Sequence, residues 1–331
     1  MDLDDVLKRL NDAGLAFQWR REPNVGGRAA ILRPKNGKSI NLGGLEVGVV
    51  IPDVHLGVGN DIFRTVDLGA TNAKRLKLFL DVLAGLRDEV SADKFRVLQL
   101  GDWYDFFRAP GETIEDQVDS IEAQYQDICA AARKLPVLHC IGNHDGALFA
   151  EPDATRSQFG ITQFLGSPRI VAYHGVNYRT LQSIRSENLG EVIGLNLVNL
   201  LAMLPILGNI VDFIQMVIDD SFEDPSLLGN HSGDKPWQKA RGAAPDAWDA
   251  PWVSRSDTNE LIQAARGIEY VTDTAIEIAF VGHSHRPGIS SGWITDEHEA
   301  VLVDVGSWTY GRAEIAIVTP DGVGLAEIPV G

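Results

Sequence analysis

Sulfur is scarce in this chain: the 331 residues carry only Cys129 and Cys140, with no Cys-x-x-Cys pair, and only three methionines. That excludes a disulfide framework and argues against a thiolate-held structural zinc, and it leaves two reduced, buried thiols as the reading. Basic charge is also short, 29 Lys and Arg against 46 Asp and Glu for a formal net charge of -17. Such a surface repels polyanions, and with no Lys/Arg footprint in view no long nucleic acid is expected as a partner. The N-terminal stretch "MDLDDVLKRLNDAGLAF" lacks the basic start and apolar core of a secretory leader, so a reducing, cytoplasmic setting is expected. Repeats and low-complexity tracts are absent too. What remains is an ordinary globular balance, 44% hydrophobic and 23% charged. It is enough for a full core, in a chain long enough to hold one large domain with an insertion or two domains.

Residues 1–44 read as an N-terminal extension, a short helix followed by the Gly-, Pro- and basic-rich "REPNVGGRAAILRPKNGKS". From Leu45 the pattern changes to short apolar runs, "LEVGVVIPD", "FRVLQLGD" and "PVLHCIGNHD", alternating with helical stretches near 72–89 and 112–134. That alternation predicts strand-helix units stacked around a buried sheet, with ligand sites at the carboxyl ends of the strands. A fourth run, "RIVAYHG", ends in the same way. After "FVGHSHRP" the segments "EAVLVDVGSW", "AEIAIVTP" and "GVGLAEIPV" read as strands of a second sheet or sheet edge.

Residues 180–265 interrupt this 45–331 domain as a mostly helical cap insertion. Its 192–218 segment, "VIGLNLVNLLAMLPILGNIVDFIQMVI", is apolar enough to raise the question of a membrane span, but it carries several Asn, an Asp and a Pro. An Asp at bilayer depth is costly. The segment therefore reads as two helices broken near Pro205, packed on the main domain or against a second copy in a homo-oligomer. The other readings are an apolar lid over lipid chains and a contact with the inner membrane surface.

The polar clusters that close the apolar runs are chemically alike. They hold Asp53 and His55, then Asp102 and Asp105, then Asn143, His144 and Asp145, then His174, then His283 and His285, with glycine beside them. Glycine lets the backbone bend sharply and bring short side chains to one point. Carboxylate and amide oxygens mixed with imidazole nitrogens suit Mn, Fe, Zn and similar ions. Seven of these side chains, Asp53, His55, Asp102, Asn143, His174, His283 and His285, are too many ligands for one ion. They are enough for two if one carboxylate is shared, and paired ions are a recurring device for displacement at phosphorus.

The ordered set D-x-H, GD-x-x-D, GNH-D, a later His and G-H-x-H resembles the calcineurin-like metallophosphoesterase superfamily. The resemblance implies an α/β four-layer sandwich, two mixed β-sheets flanked by helices, and a dinuclear centre of divalent ions drawn from Mn, Fe, Zn, Ni or Mg, with Mn favoured. It further implies that Asp53, His55 and His285 hold one ion, that Asn143, His174 and His283 hold the other, and that Asp102 bridges them. Hydroxide held between the metals would attack phosphorus. His144 would then act on the leaving oxygen, and Asp105 would orient His144. Asp145 reads as a further acceptor or a helix N-cap. His139 reads as a core or rim residue, and Trp103, Tyr104, Phe106 and Phe107 as core packing beside the site. Arg64, Arg108 and Arg286 are candidates for substrate phosphate.

Within the superfamily, "GDWYDFFR", "GHSHRP" and the insertion before the last motif resemble the branch of UDP-2,3-diacylglucosamine pyrophosphatases, although this chain keeps "GNHD" where that branch carries an arginine. The resemblance implies a small or lipid-like phosphoester as substrate. Two other readings stand beside it: a nuclease or cyclic-nucleotide phosphodiesterase on the same centre, and a membrane-edge or protein-binding module with structural metals.

Overall fold

The computed structural model describes residues 1–22, 27–58, 69–106, 109–142, 144–146, 148, 159–160, 162–174, 248–249, 268–269, 272–283, 285, 287–293, 299–309 and 311–329. The helices are α1 (Leu3–Asp12), α2 (Gly69–Val90), α3 (Ile114–Gln124) and α4 (Gln126–Ala132). The strands run β1 (Gln18–Trp19), β2 (Arg21–Glu22), β3 (Arg28–Ala29), β4 (Ile31–Pro34), β5 (Val47–Ile51), β6 (Phe95–Gln99), β7 (Val137–Cys140) and β8 (Phe159–Gly160). They continue through β9 (Thr162–Phe164), β10 (Ile170–Tyr173), β11 (Trp248–Asp249), β12 (Ile278–Val281), β13 (Gly288–Trp293), β14 (Glu299–Asp304), β15 (Glu314–Thr319) and β16 (Gly322–Glu327).

Two mixed sheets carry the molecule. The first is ordered β11-β4-β16-β15-β5-β6-β7-β8, with β1 also paired to β16, and the second β13-β14-β12-β10-β9. In the first, β5, β6, β7 and β8 run parallel; in the second, β10, β12 and β14 run parallel. Helices cover one face of the first sheet, and the other face packs on the second sheet, giving the α/β sandwich that the motif order implies.

The alternation of each strand sorts its side chains between these layers. Val47, Val49 and Ile51 of β5 meet Leu76, Phe79, Leu80 and Leu83 of α2 in one core. Val50 points the other way, into a second core with Leu98, Cys140, Ile170, Phe280, Val301 and Val303 between the sheets. Val171, Tyr173, Ala279, Val281 and Leu302 form a third cluster on the outer face of the second sheet. Cys129 and Cys140 are buried thiols. Burial pushes the Cys129 pKa up to about 12 and holds Cys140 well above its ordinary value, so neither is a ready thiolate.

Three sequence expectations change in detail. The stretch near 112–134 is two helices, broken at Tyr125 between α3 and α4. The last two strands do not extend the second sheet: β15 lies antiparallel to β5 in the middle of the first, with Ile317 opposite Val49. The reason is two-sided burial, since Ile315 and Ile317 face the helical core while Ala316 and Val318 face the core between the sheets. The N-terminal extension builds onto the same sheet: β1 and β4 pair with β16. Helix α1 is closed by an Asp2–Asp5 capping box and buries Leu3, Val6 and Leu10 in the helical core. Among the described residues no helix is long and apolar enough to cross a membrane; the 192–218 segment and nearly all of the cap insertion lie outside them.

Candidate metal centre

Five strand ends converge on one point. Asp53 and His55 follow β5, Asp102 and Asp105 follow β6, His144 follows β7, His174 follows β10, and His283 and His285 follow β12. The two sheets are stitched there by a parallel bridge between Asp53 and Ser307. The turns are tight: His55, Asp102, His283 and His285 all hold positive φ, between 51° and 66°. Side-chain-bearing residues rarely occupy that left-handed region outside sites where the surroundings enforce it.

Glycines make the close approach possible. A β-carbon on Gly142 would overlap the Asp102 carboxylate, and one on Gly282 would overlap that of Asp53. Gly101, at φ +101°, passes so close to Gly142 and His174 that a β-carbon would sit 2.8 Å from each.

The geometry gathers eight of the residues singled out in the sequence. Asp53 Oδ2 lies 3.0 Å from His285 Nε2 and accepts from the His283 backbone N–H at 2.9 Å. Asp102 Oδ2 lies 3.2 Å from His174 Nε2 and 3.7 Å from His55 Nε2, while its Oδ1 accepts from the His144 backbone N–H at 2.8 Å. His174 Nδ1 donates to the Leu100 carbonyl at 2.9 Å, which turns Nε2 toward Asp102. His144 Nδ1 meets Asp105 Oδ1 at 3.0 Å. Ring contacts close the set, His55 to His144 at 4.5 Å, His55 to His285 at 5.4 Å and His174 to His283 at 5.1 Å between centroids.

Ligand atoms close enough to share an ion occur as Asp53, His55 and His285, as Asp53, Asp102 and His174, and as His55, Asp105 and His144. Both ring nitrogens of His55 and Asp53 Oδ1 are buried with no hydrogen-bond partner. Buried polar groups left so are costly and rare, and a cation satisfies both kinds of atom at once. The donor set therefore fits divalent metal.

The electrostatics point the same way. Burial works to raise the pKa of Asp53 and of Asp102, but the neighbouring imidazoles, His174 foremost, overcome it and hold both carboxylates below their ordinary range. Burial opposes charge on His174, yet Asp102 and Asp53 push its pKa up to about 10. Burial depresses His55, with His144 adding to it, and takes His283 down to about 4. Paired buried carboxylates thus demand positive charge between them, while two of the imidazoles beside them stay neutral, the form that ligates metal.

Sequence reasoning passed over the supports. Gln99, a polar residue inside an apolar strand, donates from Nε2 to the Gly101 carbonyl at 2.6 Å and accepts the Gly101 N–H at 3.2 Å, shaping the turn that carries Asp102. Asp145 accepts from the Gly142 N–H at 2.7 Å and the Trp103 N–H at 3.0 Å, tying two motif loops together. Burial, with Asp102 adding to it, pushes Asp145 up to about 7. His139 is a core residue stacked on Phe159, 4.5 Å between centroids, and burial takes it down to about 3. Trp103, Tyr104 and Phe106 are packed in the helical core. Asn143, Arg64, Arg108, Arg286 and Phe107 lie outside the described residues.

No curated protein matches the chain. The family model for calcineurin-like phosphoesterases matches residues 49–287, from within β5 to just beyond the two histidines after β12. That span is well over half of the 331 residues, and the chain belongs to the calcineurin-like phosphoesterase family of metal-dependent phosphoric ester hydrolases.

Proposed function

We propose that the chain is a dinuclear phosphohydrolase that cleaves a phosphomonoester, phosphodiester or diphosphate bond on a substrate bearing an apolar or lipid group. The carrying observation is the position of Asp102, whose Oδ2 lies between His174 at 3.2 Å and His55 at 3.7 Å. A carboxylate so placed can be shared by two ions. On this reading Asp53, His55 and His285 hold one ion, and Asn143, His174 and His283 the other. Bound there, divalent ions supply Lewis-acid stabilisation of phosphoryl oxygens and acidify a water, with Mn favoured.

The chain's own acid is His144. As the imidazolium, His144 donates its Nδ1–H to Asp105, whose carboxylate holds the ring in place and favours the doubly protonated form, and its Nε2–H would go to the leaving oxygen. The net charge of -17 supports a small substrate over a long polynucleotide. The apolar 192–218 segment supports a lipid-like group, as in the UDP-2,3-diacylglucosamine pyrophosphatase-like branch, met by the cap insertion or at a membrane surface. Arg64, Arg108 and Arg286 are the candidates for binding substrate phosphate.

Purified protein is expected to hydrolyse p-nitrophenyl phosphate or its bis-ester with added Mn(II), and Asp102→Ala and Asn143→Ala to lose that activity. Equal inertness of wild type and both variants across several metals would refute the reading. Cleavage of 2',3'-cyclic nucleotides in preference to both esters would move the assignment to a nucleotide phosphodiesterase.

A further inference from the structure

We infer that Arg312 is a positioning residue for the metal centre, fixing the backbone at His285 so that its imidazole stays on the ion held with Asp53 and His55. This inference rests on the proposed ligand roles of those three residues. It also concerns a segment beyond 287, where the family match ends.

The Arg312 guanidinium donates from Nη1 to the His285 carbonyl at 2.5 Å. His285 sits at φ 52°, a conformation that a residue with a side chain resists, so the turn needs an outside hold. Arg312 is itself fixed at both ends of its peptide. Its N–H donates to the Thr309 carbonyl at 2.9 Å, and its carbonyl accepts from Asn72 Nδ2 at 2.5 Å.

The same Asn72 amide donates to the Trp308 carbonyl at 2.8 Å. Trp308, fully buried, donates its backbone N–H to the Asp53 carbonyl at 2.8 Å. One short stretch after β14 therefore grips the backbone of Asp53 through Trp308 and that of His285 through Arg312. The side chains of those two residues meet at 3.0 Å. A planar guanidinium on a carbonyl sets direction as well as distance, which a lysine cannot reproduce.

The test is a titration of metal-free protein with Co(II), followed by visible absorption, for wild type, Arg312→Gln and Arg312→Lys. Wild type is expected to take two equivalents. Arg312→Gln should lose affinity for one of them by roughly 10- to 100-fold, the scale for removing a group that orients a ligand, with the absorption band of that equivalent altered. Arg312→Lys should fall between. Affinity, not melting temperature, decides. Two equivalents bound as tightly as in wild type by both variants would overturn the role of Arg312 and leave the metal centre standing. Should Arg312→Gln not fold, wild-type affinity in Arg312→Lys overturns it on its own. Failure of the wild type to bind any Co(II) would overturn both the inference and the reading beneath it.

Discussion

Asp105 is fully buried, and one of its oxygens is committed to the Nδ1 of His144 at 3.0 Å. Replacing that carboxylate by an amide removes the negative charge that orients the imidazole and favours its doubly protonated form, without removing any proposed ligand. Asp105→Asn is therefore expected to lower kcat by roughly 10²-fold or more, and His144→Ala by at least as much, while both keep the wild-type metal content by elemental analysis. A variant that lost metal instead would place Asp105 or His144 among the ligands, a grouping the geometry also allows with His55. At this scale most of the site is legible in the sequence. A buried strand that ends in glycine and a short polar side chain has little reason to do so unless the side chain is used. Gln99 carries a weaker signal of the same kind, a lone polar residue in "RVLQL". Arg312 carries none, because its partner His285 lies 27 residues away and only the fold brings the two together.

The elements that matter are the turns after β5, β6, β7 and β12. Four side-chain-bearing residues there hold positive φ, and glycines leave the room that the Asp102 and Asp53 carboxylates occupy. Gly142→Ala would drive a methyl into the Asp102 carboxylate and bring it 2.6 Å from the Asp102 backbone nitrogen. Such overpacking is expected to cost ~1–3 kcal/mol in a denaturant titration, and it should weaken metal binding more than an alanine at an exposed glycine such as Gly85, where nothing lies within 4 Å. Wild-type metal affinity in Gly142→Ala would show that the turn tolerates a shift the geometry does not allow. Strand identity was readable from short apolar runs, but sheet membership was not. The segment that becomes β15 holds an unbroken apolar run, "IAIV", and either sheet satisfies that pattern. Its place beside β5 is decided by having a core on both faces. The N-terminal strands were hidden by their brevity and by the Gly- and Pro-rich stretch around them; β1 and β4 take their places against β16.

Across the whole molecule, two expectations concern stability. Glu314 is buried beside Arg20, Arg312 and Glu327 and accepts the Ser307 N–H at 2.8 Å; burial, with Glu327 adding to it, outweighs the Ser307 N–H and the two arginines and raises its pKa to about 7 from an ordinary 4.5. The folded chain thus holds this proton more tightly than the unfolded chain. The resulting stability is fully present below the unfolded pKa, and it is lost as pH rises through about 7. Glu314→Gln should remove that slope, on the order of 3 kcal/mol across the window, in metal-free protein unfolded by urea at a series of pH values. Identical slopes would assign the pH dependence to other groups. Metal is the second lever: at about 100 times Kd an ion that binds only the folded chain adds about 2.7 kcal/mol. Saturating Mn(II) should raise Tm by several degrees, a chelator should reverse the rise, and Asp102→Ala should respond weakly or not at all. The charge balance, the family and the cluster of Asp and His residues were open to a reader of the sequence, because each is carried by local composition or short motifs. The scaffold that holds them, from Asn72 to Trp308 to Asp53, spans most of the chain and was not.

The central claim is that side chains from five strand ends hold two neighbouring divalent ions, with Asp102 between them. Anomalous scattering from crystals soaked in Mn(II) tests it directly. The account expects two peaks roughly 3.5–4 Å apart, one beside Asp53, His55 and His285 and the other beside His174 and His283. A single peak, or none at these residues in protein that is folded and active, would contradict it.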